Sequence, residues 1–380
     1  MALTNIPFNK PYLSGKEIQY IEQAVKSGKI SGNGFFTQKC QQYFQERYGF
    51  KKALLTTSCT DALEMCAILA NIQPGDEVII PSYTFVSTAL AFVRQGAIIV
   101  FADSLLDHPN IDADQIEVLI TPKTKAIIPV HYAGVACDMD KIMKLAQKYD
   151  LLVIEDAAQS IESFYKDKPL GSIGHMAAFS FHETKNINSG EGGLLAINDD
   201  RFIARAEIIW EKGTNRAEFF RGEVNKYSWV DTGSSFLPSE IIAAYLWAQL
   251  ENLEDIQQRR INIASQYRRR LGDWAAKNSV GLPSIPGYAT DNGHMFYLTF
   301  KSANQRTQMI SYLKSNGIFA VFHYLSLHKS EYYKDKSVSK NLTNSDWFTD
   351  NLLRLPLYYE LSNENIEYIC NTIINFKSDK

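Results

Sequence analysis

Leu151-Leu152-Val153-Ile154-Glu155-Asp156-Ala157-Ala158-Gln159 is the stretch from which the rest of the chain is best read. Four branched apolar side chains in a row, with no polar alternation, are the pattern of a strand covered on both faces, as in a mostly parallel sheet. The strand ends on Asp156, a carboxylate at the rim of a core. An unpaired charge there costs several kcal/mol by desolvation, so a partner is implied. Two partners are open: the backbone of the segment starting at Ala157, which Asp156 could cap, or a cationic group held beyond the strand end.

Working outward, similar short runs recur at Ala53 to Thr57, Glu77 to Pro81, Ile98 to Asp103, Ala126 to His131, Ala177 to Phe181 and Gly193 to Ile197. Amphipathic stretches separate them, among them Asp61 to Ala70, Thr84 to Gln95 and Asp138 to Tyr149, each beginning near a Thr or Asp suited to capping. Alternation of this kind predicts an α/β fold with a mostly parallel central sheet covered by helices. It extends over residues 1–250. Beyond Ala243 to Leu250 the pattern changes to a long charged helix with Arg259, Arg260, Arg268, Arg269 and Arg270, then a loop containing Pro283 and Pro286. Strand-like Met295 to Phe300, helical Arg306 to Lys314, strand-like Phe319 to Tyr324 and a helix from Asn363 to Phe376 then predict a smaller C-terminal α+β domain over residues 251–380.

The composition excludes several functions. A net charge of −3, from 39 basic and 42 acidic residues intermingled along the chain, offers neither a cationic face for nucleic acid nor a polybasic membrane arm. Five scattered cysteines (Cys40, Cys59, Cys66, Cys137, Cys370) include no Cys-x-x-Cys pair, so neither a disulfide framework nor a zinc site is expected. His131, His323 and His328 each sit at an apolar strand and read as hydrogen-bonded structural residues; no metal is expected. The N-terminal segment Met1 to Lys16 is polar and no run approaches a membrane span, which makes the cytoplasm the expected compartment.

Chemistry concentrates around Ser180-Phe181-His182-Glu183-Thr184-Lys185 and the following Ser189-Gly190-Glu191-Gly192-Gly193. A lysine in a polar loop is ordinarily solvated. Here Ser180 precedes it, with a hydroxyl able to reach a phosphate, and Gly190, Gly192 and Gly193 follow, where backbone can pass close to a ligand. Upstream, Thr56 to Leu63 joins a strand to a helix through small hydroxyl residues, a cap or a phosphate cradle. Pro81-Ser82-Tyr83-Thr84-Phe85 places aromatics at a strand end, where one could stack on a planar ring. A lysine able to form a Schiff base, a carboxylate to keep a ring nitrogen protonated and a phosphate-side loop are the parts needed to hold pyridoxal phosphate.

Taken in order, these motifs resemble the sugar-nucleotide aminotransferases of the DegT/DnrJ/EryC1/StrS family, fold type I pyridoxal phosphate enzymes. The likeness runs through Ser58 to Leu63, Gln73 to Val78, Pro81 to Val86, Pro129 to Gly134, Glu155 to Gln159, Lys185 with Gly190 to Gly193, and Leu355-Pro356-Leu357. It implies that Cys59, Thr60 and Ser180 contact the cofactor phosphate, Phe85 stacks on its ring, Asp156 binds the ring nitrogen, Gln159 borders the ring hydroxyl and Lys185 is the catalytic lysine. Where many members have Gly-Tyr-Asn this chain has Gly233-Ser234-Ser235-Phe236, so Ser235 stands where the family's asparagine reaches the phosphate of the neighbouring subunit. Sharing of that kind implies a homodimer.

Phe181 to Lys185, Glu211 to Arg216, Phe219 to Gly222 and His294 to Tyr297 resemble, more narrowly, the branch that makes dTDP-4-amino-4,6-dideoxygalactose for enterobacterial common antigen. This implies amino transfer from L-glutamate to C4 of dTDP-4-oxo-6-deoxy-D-glucose. Lys212, Arg216 and Arg221 become candidate partners for the nucleotide diphosphate, by charge complementarity. Amination at C3 of an isomeric 3-oxo sugar is the alternative within the family. A dehydratase relative would replace the lysine by histidine, and a non-catalytic sensor would have little need to keep Asp156, Gln159 and Lys185 together.

Overall fold

The computed structural model describes residues 5–337 and 341–377; the first four residues of the polar N-terminal segment lie outside them. All seven apolar runs become strands of one sheet. In chain order these are β1 (Lys52–Thr56), β2 (Glu77–Pro81), β3 (Ile98–Ala102), β4 (Thr124–Ile127) and β5 (Leu152–Asp156), then, after a small hairpin of β6 (Phe164–Tyr165) and β7 (Lys168–Pro169), β8 (Met176–Ser180) and β9 (Gly193–Ile197). Their spatial order is β1-β9-β8-β5-β4-β2-β3. Strands β3, β2, β4, β5 and β8 pair in parallel, and β9 runs against both β8 and β1. The reversal follows from the connection: residues 181–192 return directly from β8 to β9, whereas a parallel pairing would need a crossover element.

Period-two alternation sorts each strand between two layers. Leu54, Ile80, Ile154, Ala178 and Leu195 pack with helices α3 (Cys59–Leu69), α4 (Ser87–Val93) and α6 (Ile203–Trp210). Their neighbours Ala53, Leu55, Phe179 and Leu194 face α1 (Glu17–Lys26), α2 (Phe35–Tyr48) and α8 (Glu240–Leu250), and Ile79, Ile127 and Val153 face α5 (Met139–Tyr149). Some boundaries differ from the sequence reading for local reasons. Strand β4 stops at Ile127, ahead of Pro129, whose missing N–H cannot continue a ladder. Ser58, rather than Asp61, caps α3: its Oγ accepts from the Asp61 N–H at 3.1 Å. Helix α4 begins at Ser87, leaving Thr84, Phe85 and Val86 in the turn after β2.

Helix α9 (Leu253–Asn278) buries Leu253 and Ile256 in the large-sheet core and Ile263, Tyr267 and Leu271 in a second one. That second core rests on an antiparallel sheet of order β10-β12-β11, made of β10 (Phe296–Thr299), β11 (Val321–Phe322) and β12 (Leu352–Leu355), backed by α10 (Ala303–Ser315) and α12 (Asn363–Asn375). Ile6 joins it by bridging to Ile318. The sequence reading lacks β12, the central strand, which follows α11 (Thr343–Asn351) without a turn and carries an arginine in a four-residue run. Its alternation is nonetheless clean: Leu353 and Leu355 enter the second core, while Leu352 faces an aromatic layer of Tyr83, Tyr132, Tyr297 and Phe348 between the two sheets. Arg354 shares the face of Leu352, opposite Tyr297 and Val321 in register.

Candidate active site

The parallel strands β1, β2, β5 and β8 all end at the same edge, and there the chain leaves a cavity of about 620 Å³ lined by Cys59, Thr60, Phe85, Asp156, Gln159, Ser180 and Lys185. Seven of the residues singled out in the sequence thus meet in one place. The carboxyl edge of an open α/β sheet is where strand ends and helix openings leave a crevice for ligands.

One wall is the start of α3. Cys59 and Thr60 occupy its first turn, where backbone N–H groups have no intrahelical acceptor and the helix end favours an anion. Thr60 Oγ1 lies 2.8 Å from Ser87 Oγ. Gly193 opens β9 directly against this turn: a Cβ there would clash with the Ser58 carbonyl and come within 2.5 Å of the Cys59 nitrogen. Only glycine permits that approach. Ser180, ending β8, accepts at Oγ from the His182 N–H at 3.4 Å, which leaves its own proton free to donate.

Asp156 is buried at the end of β5. Its Oδ2 accepts from Thr88 Oγ1 at 2.7 Å and its Oδ1 from the Ala158 N–H at 3.2 Å, so the cap foreseen in the sequence is made by one oxygen only. Thr88 is in turn 2.9 Å from Thr84 Oγ1. Burial holds the Asp156 carboxyl above the usual carboxylate range, opposed by these hydrogen bonds and by the Lys185 charge. Gln159 is held at both ends: Oε1 accepts from the Ala133 N–H at 2.6 Å and Nε2 donates to Tyr324 Oη at 3.1 Å. Beneath the site, buried Glu155 accepts from His131 Nε2 at 2.9 Å and from the N–H groups of Gly171, Ile173 and Gly174. His131 is thus a structural residue.

Lys185 projects its amine into the cavity with no side-chain hydrogen bond or ion pair among the described residues. Burial pushes the amine down to about 8; Cys59 and Asp156 pull it back up, and Arg354 adds to the depression. An amine poised there is neutral often enough to act as nucleophile or base.

Some residues of the site were given no role in the sequence reading: Thr88, which stands behind the carboxylate, and the lining residues His294, Tyr324 and Arg354 from the second part of the chain. His294 Nδ1 is 2.8 Å from Asn186 Oδ1; because Asn186 spends its amide protons on Gln257 and Asn292, the imidazole donates. Burial, then Lys185 and Arg260, keep that ring neutral. The signal for Tyr324 was its place at the end of the strand-like run 319–324, of which only Val321–Phe322 forms β11; the signal for Arg354 was the alternation of β12.

Ser235, Lys212, Arg216 and Arg221 lie elsewhere. They line a second cleft of about 580 Å³, together with Lys29, Asn33, Glu207 and Glu211. Arg221 pairs with Glu207 and Glu223, each at 2.8 Å, and Arg216 lies 3.6 Å from Glu211 and over the Phe220 ring in α7 (Arg216–Phe220). Among the described residues Lys212 forms no ion pair. No helix of the described residues is long and apolar enough to cross a membrane.

A lysine, a carboxylate and an anion cradle at the carboxyl edge of such a sheet define an aminotransferase-type site. The chain belongs to the DegT/DnrJ/EryC1/StrS aminotransferase family, whose model matches residues 11–374. It is 33% identical to the spore coat polysaccharide biosynthesis protein SpsC of Bacillus subtilis over 385 residues, covering 97% of this chain and 96% of that protein. Among solved structures, the sugar aminotransferase candidate Spr1654 of Streptococcus pneumoniae, in its PLP form, superposes with a TM-score of 0.88 at 27% identity, over 97% of each chain. DesV of S. venezuelae does so with a TM-score of 0.90 at 27% identity, over 98% of this chain and 100% of that one.

Proposed function

We propose that this sugar aminotransferase transfers an amino group from L-glutamate to C4 of dTDP-4-oxo-6-deoxy-D-glucose, yielding dTDP-4-amino-4,6-dideoxy-D-galactose and 2-oxoglutarate. The observation that carries the reading is the single cavity joining Lys185 to Asp156. The residues fit pyridoxal phosphate: the opening of α3 and the Ser180 hydroxyl suit a phosphate, and the glycine at 193 leaves room for the loop to close on it. Asp156, held by Thr88, would bind the ring nitrogen, and a cation there would offset the burial that raises its pKa. Phe85 offers an exposed aromatic face on which the ring would stack, and Gln159, fixed at both ends of its amide, would border the ring hydroxyl.

When bound, the cofactor supplies the electron sink that lets a proton leave the substrate carbon. Lys185 Nζ takes that proton from the amine-bearing carbon of glutamate and, in the second half, delivers one to C4 of the sugar. Lys212, Arg216 and Arg221 are assigned to the diphosphate and Ser235 to the cofactor phosphate of a second copy, in a cytoplasmic homodimer whose two copies share their sites. The branch likeness around residues 181–185, 211–222 and 294–297 supports the C4 sugar over a 3-oxo isomer.

The test is incubation with L-glutamate and dTDP-4-oxo-6-deoxy-D-glucose, with the ring carbon bearing nitrogen and its configuration read by NMR. A C4 axial amine is expected. A gluco product, or no reaction beside a reacting 3-oxo isomer, would defeat the substrate assignment.

A further inference from the structure

Nothing in the Lys185 side chain aims it. Its amine ends a flexible four-carbon stem and meets no polar partner among the described residues, so its direction is inherited from the backbone that carries it. The next side chain is the opposite case. Asn186 is buried, and both its amide protons and its carbonyl are engaged: Nδ2 donates to Gln257 Oε1 and to the Asn292 carbonyl, each at 3.0 Å, and Oδ1 accepts from His294 Nδ1 at 2.8 Å.

Those partners form one block. Gln257 Nε2 also donates to the Asn292 carbonyl, Asn292 Oδ1 accepts the His294 N–H at 2.9 Å, and Asn292 Nδ2 reaches the Gln159 and Ile161 carbonyls at 2.8 Å each. A buried polar network whose members are all satisfied specifies one arrangement. Gln257 belongs to α9, the helix seated in both cores. The residue after Lys185 is therefore tied to the same block that holds the Gln159 backbone.

The loop does not need this network in order to close. Residues 181–192 already close on themselves, with Phe181 N–H donating to Gly192, Glu183 N–H to Gly190 and Ser189 N–H to Phe181. Ile187 anchors the loop in the core through apolar contact, which is non-directional. Asn188, the other asparagine of the loop, reaches Tyr12 and Gln249 only at 3.4 Å. The shorter directional bonds are concentrated beside the lysine.

Resting on the role given to Lys185 above, we infer that Asn186 is a positioning residue: clamped by Gln257, Asn292 and His294, it fixes the direction in which the Lys185 amine enters the cavity. It thereby serves both tasks of that amine, linkage to the cofactor and proton transfer at the substrate carbon. An effect of this kind falls on the rate of chemistry and spares binding.

Two probes separate docking from linkage. 4-Deoxypyridoxine 5′-phosphate lacks the aldehyde and docks without linking; pyridoxal phosphate docks and then condenses with the Lys185 amine, with loss of one water. Cofactor-free wild type, Asn186→Ala and Gln257→Leu are mixed with each at pH 9, above the Lys185 pKa of about 8. Asn186→Ala is expected to dock the deoxy analogue within about 3-fold of wild type yet to link pyridoxal phosphate roughly 30- to 100-fold more slowly, the scale of a displacement of about an ångström. Gln257→Leu, which removes one of the three bonds, should slow linkage about 5- to 10-fold. In the loaded enzymes the single-turnover rate with L-glutamate falls by similar factors while the half-saturating concentration holds. Linkage at the wild-type rate in both variants, or docking lost in proportion to linkage, overturns the inference and leaves Asn186 to the fold alone. Should Asn186→Ala not fold, Gln257→Leu decides by the same readings. A wild type that docks pyridoxal phosphate and never links it takes down the lysine assignment instead, a result distinct from the others.

Discussion

The two clefts hold polar groups of the same kinds under opposite conditions. In the first, Asp156 is fixed at a strand end and Gln159 by paired hydrogen bonds, and burial moves Asp156 and Lys185 from their ordinary pKa values. In the second, Arg216 and Arg221 are exposed, already neutralised by Glu211, Glu207 and Glu223, and carried by a short helix and loops. Exposed pairs contribute little energy and rearrange easily. Chemistry that needs fixed geometry belongs in the first cleft; recognition that tolerates adjustment belongs in the second.

The comparison breaks most sharply at Lys185. Lys185→Ala should lose the visible absorbance of the lysine-linked cofactor and cut turnover by roughly 10⁴-fold, the upper range for a positioned proton-transfer group. A coloured, active alanine variant would put the chemistry elsewhere. Next, Asp156→Asn should lower turnover by about 10²- to 10³-fold while cofactor retention, measured by dialysis, changes far less, because the carboxylate acts on ring electronics. Thr88→Val removes one hydrogen bond to that charge and should cost about 10- to 100-fold in turnover, in line with 1.5–3 kcal/mol for bonds to charged groups.

The fourth expectation concerns pH. Because Lys185 reacts as the neutral amine and its pKa is pushed down to about 8, capture of pyridoxal phosphate by cofactor-free protein should accelerate as pH rises towards 8 and level off above it. Stopped-flow absorbance would show this; a rate still climbing at pH 10 would mean an unperturbed lysine. The smallest effect belongs to the second cleft. Lys212→Gln and Arg221→Gln should each raise the sugar-nucleotide KM about 3- to 10-fold with kcat nearly constant, the mark of uniform binding. A fall in kcat instead would give this cleft a share of the chemistry.

Much of the first cleft was legible because its residues lie next to their strands in sequence. Asp156 ends β5, Ser180 ends β8, and Cys59 and Thr60 follow β1, so locating the strands locates them. Thr88 was missed because its target is set by how α4 packs over β5, a tertiary matter. Arg354 was missed because a four-residue strand carries too short an alternation to be seen beside the helix before it. The division of the chain shows the same limit: α9 reads as one charged helix, yet it is buried in two cores in succession.

Strand β9 carries a consequence for how the molecule is made. It lies between β1 and β8, so the first strand of the chain has no neighbour in the sheet until the last one is inserted. Gly193 then meets Ser58, 135 positions earlier in the chain, and that meeting closes one side of the phosphate bay. Long-range closure of this kind is slow. Cofactor colour, followed in time during refolding, is therefore expected to lag behind formation of the parallel half of the sheet.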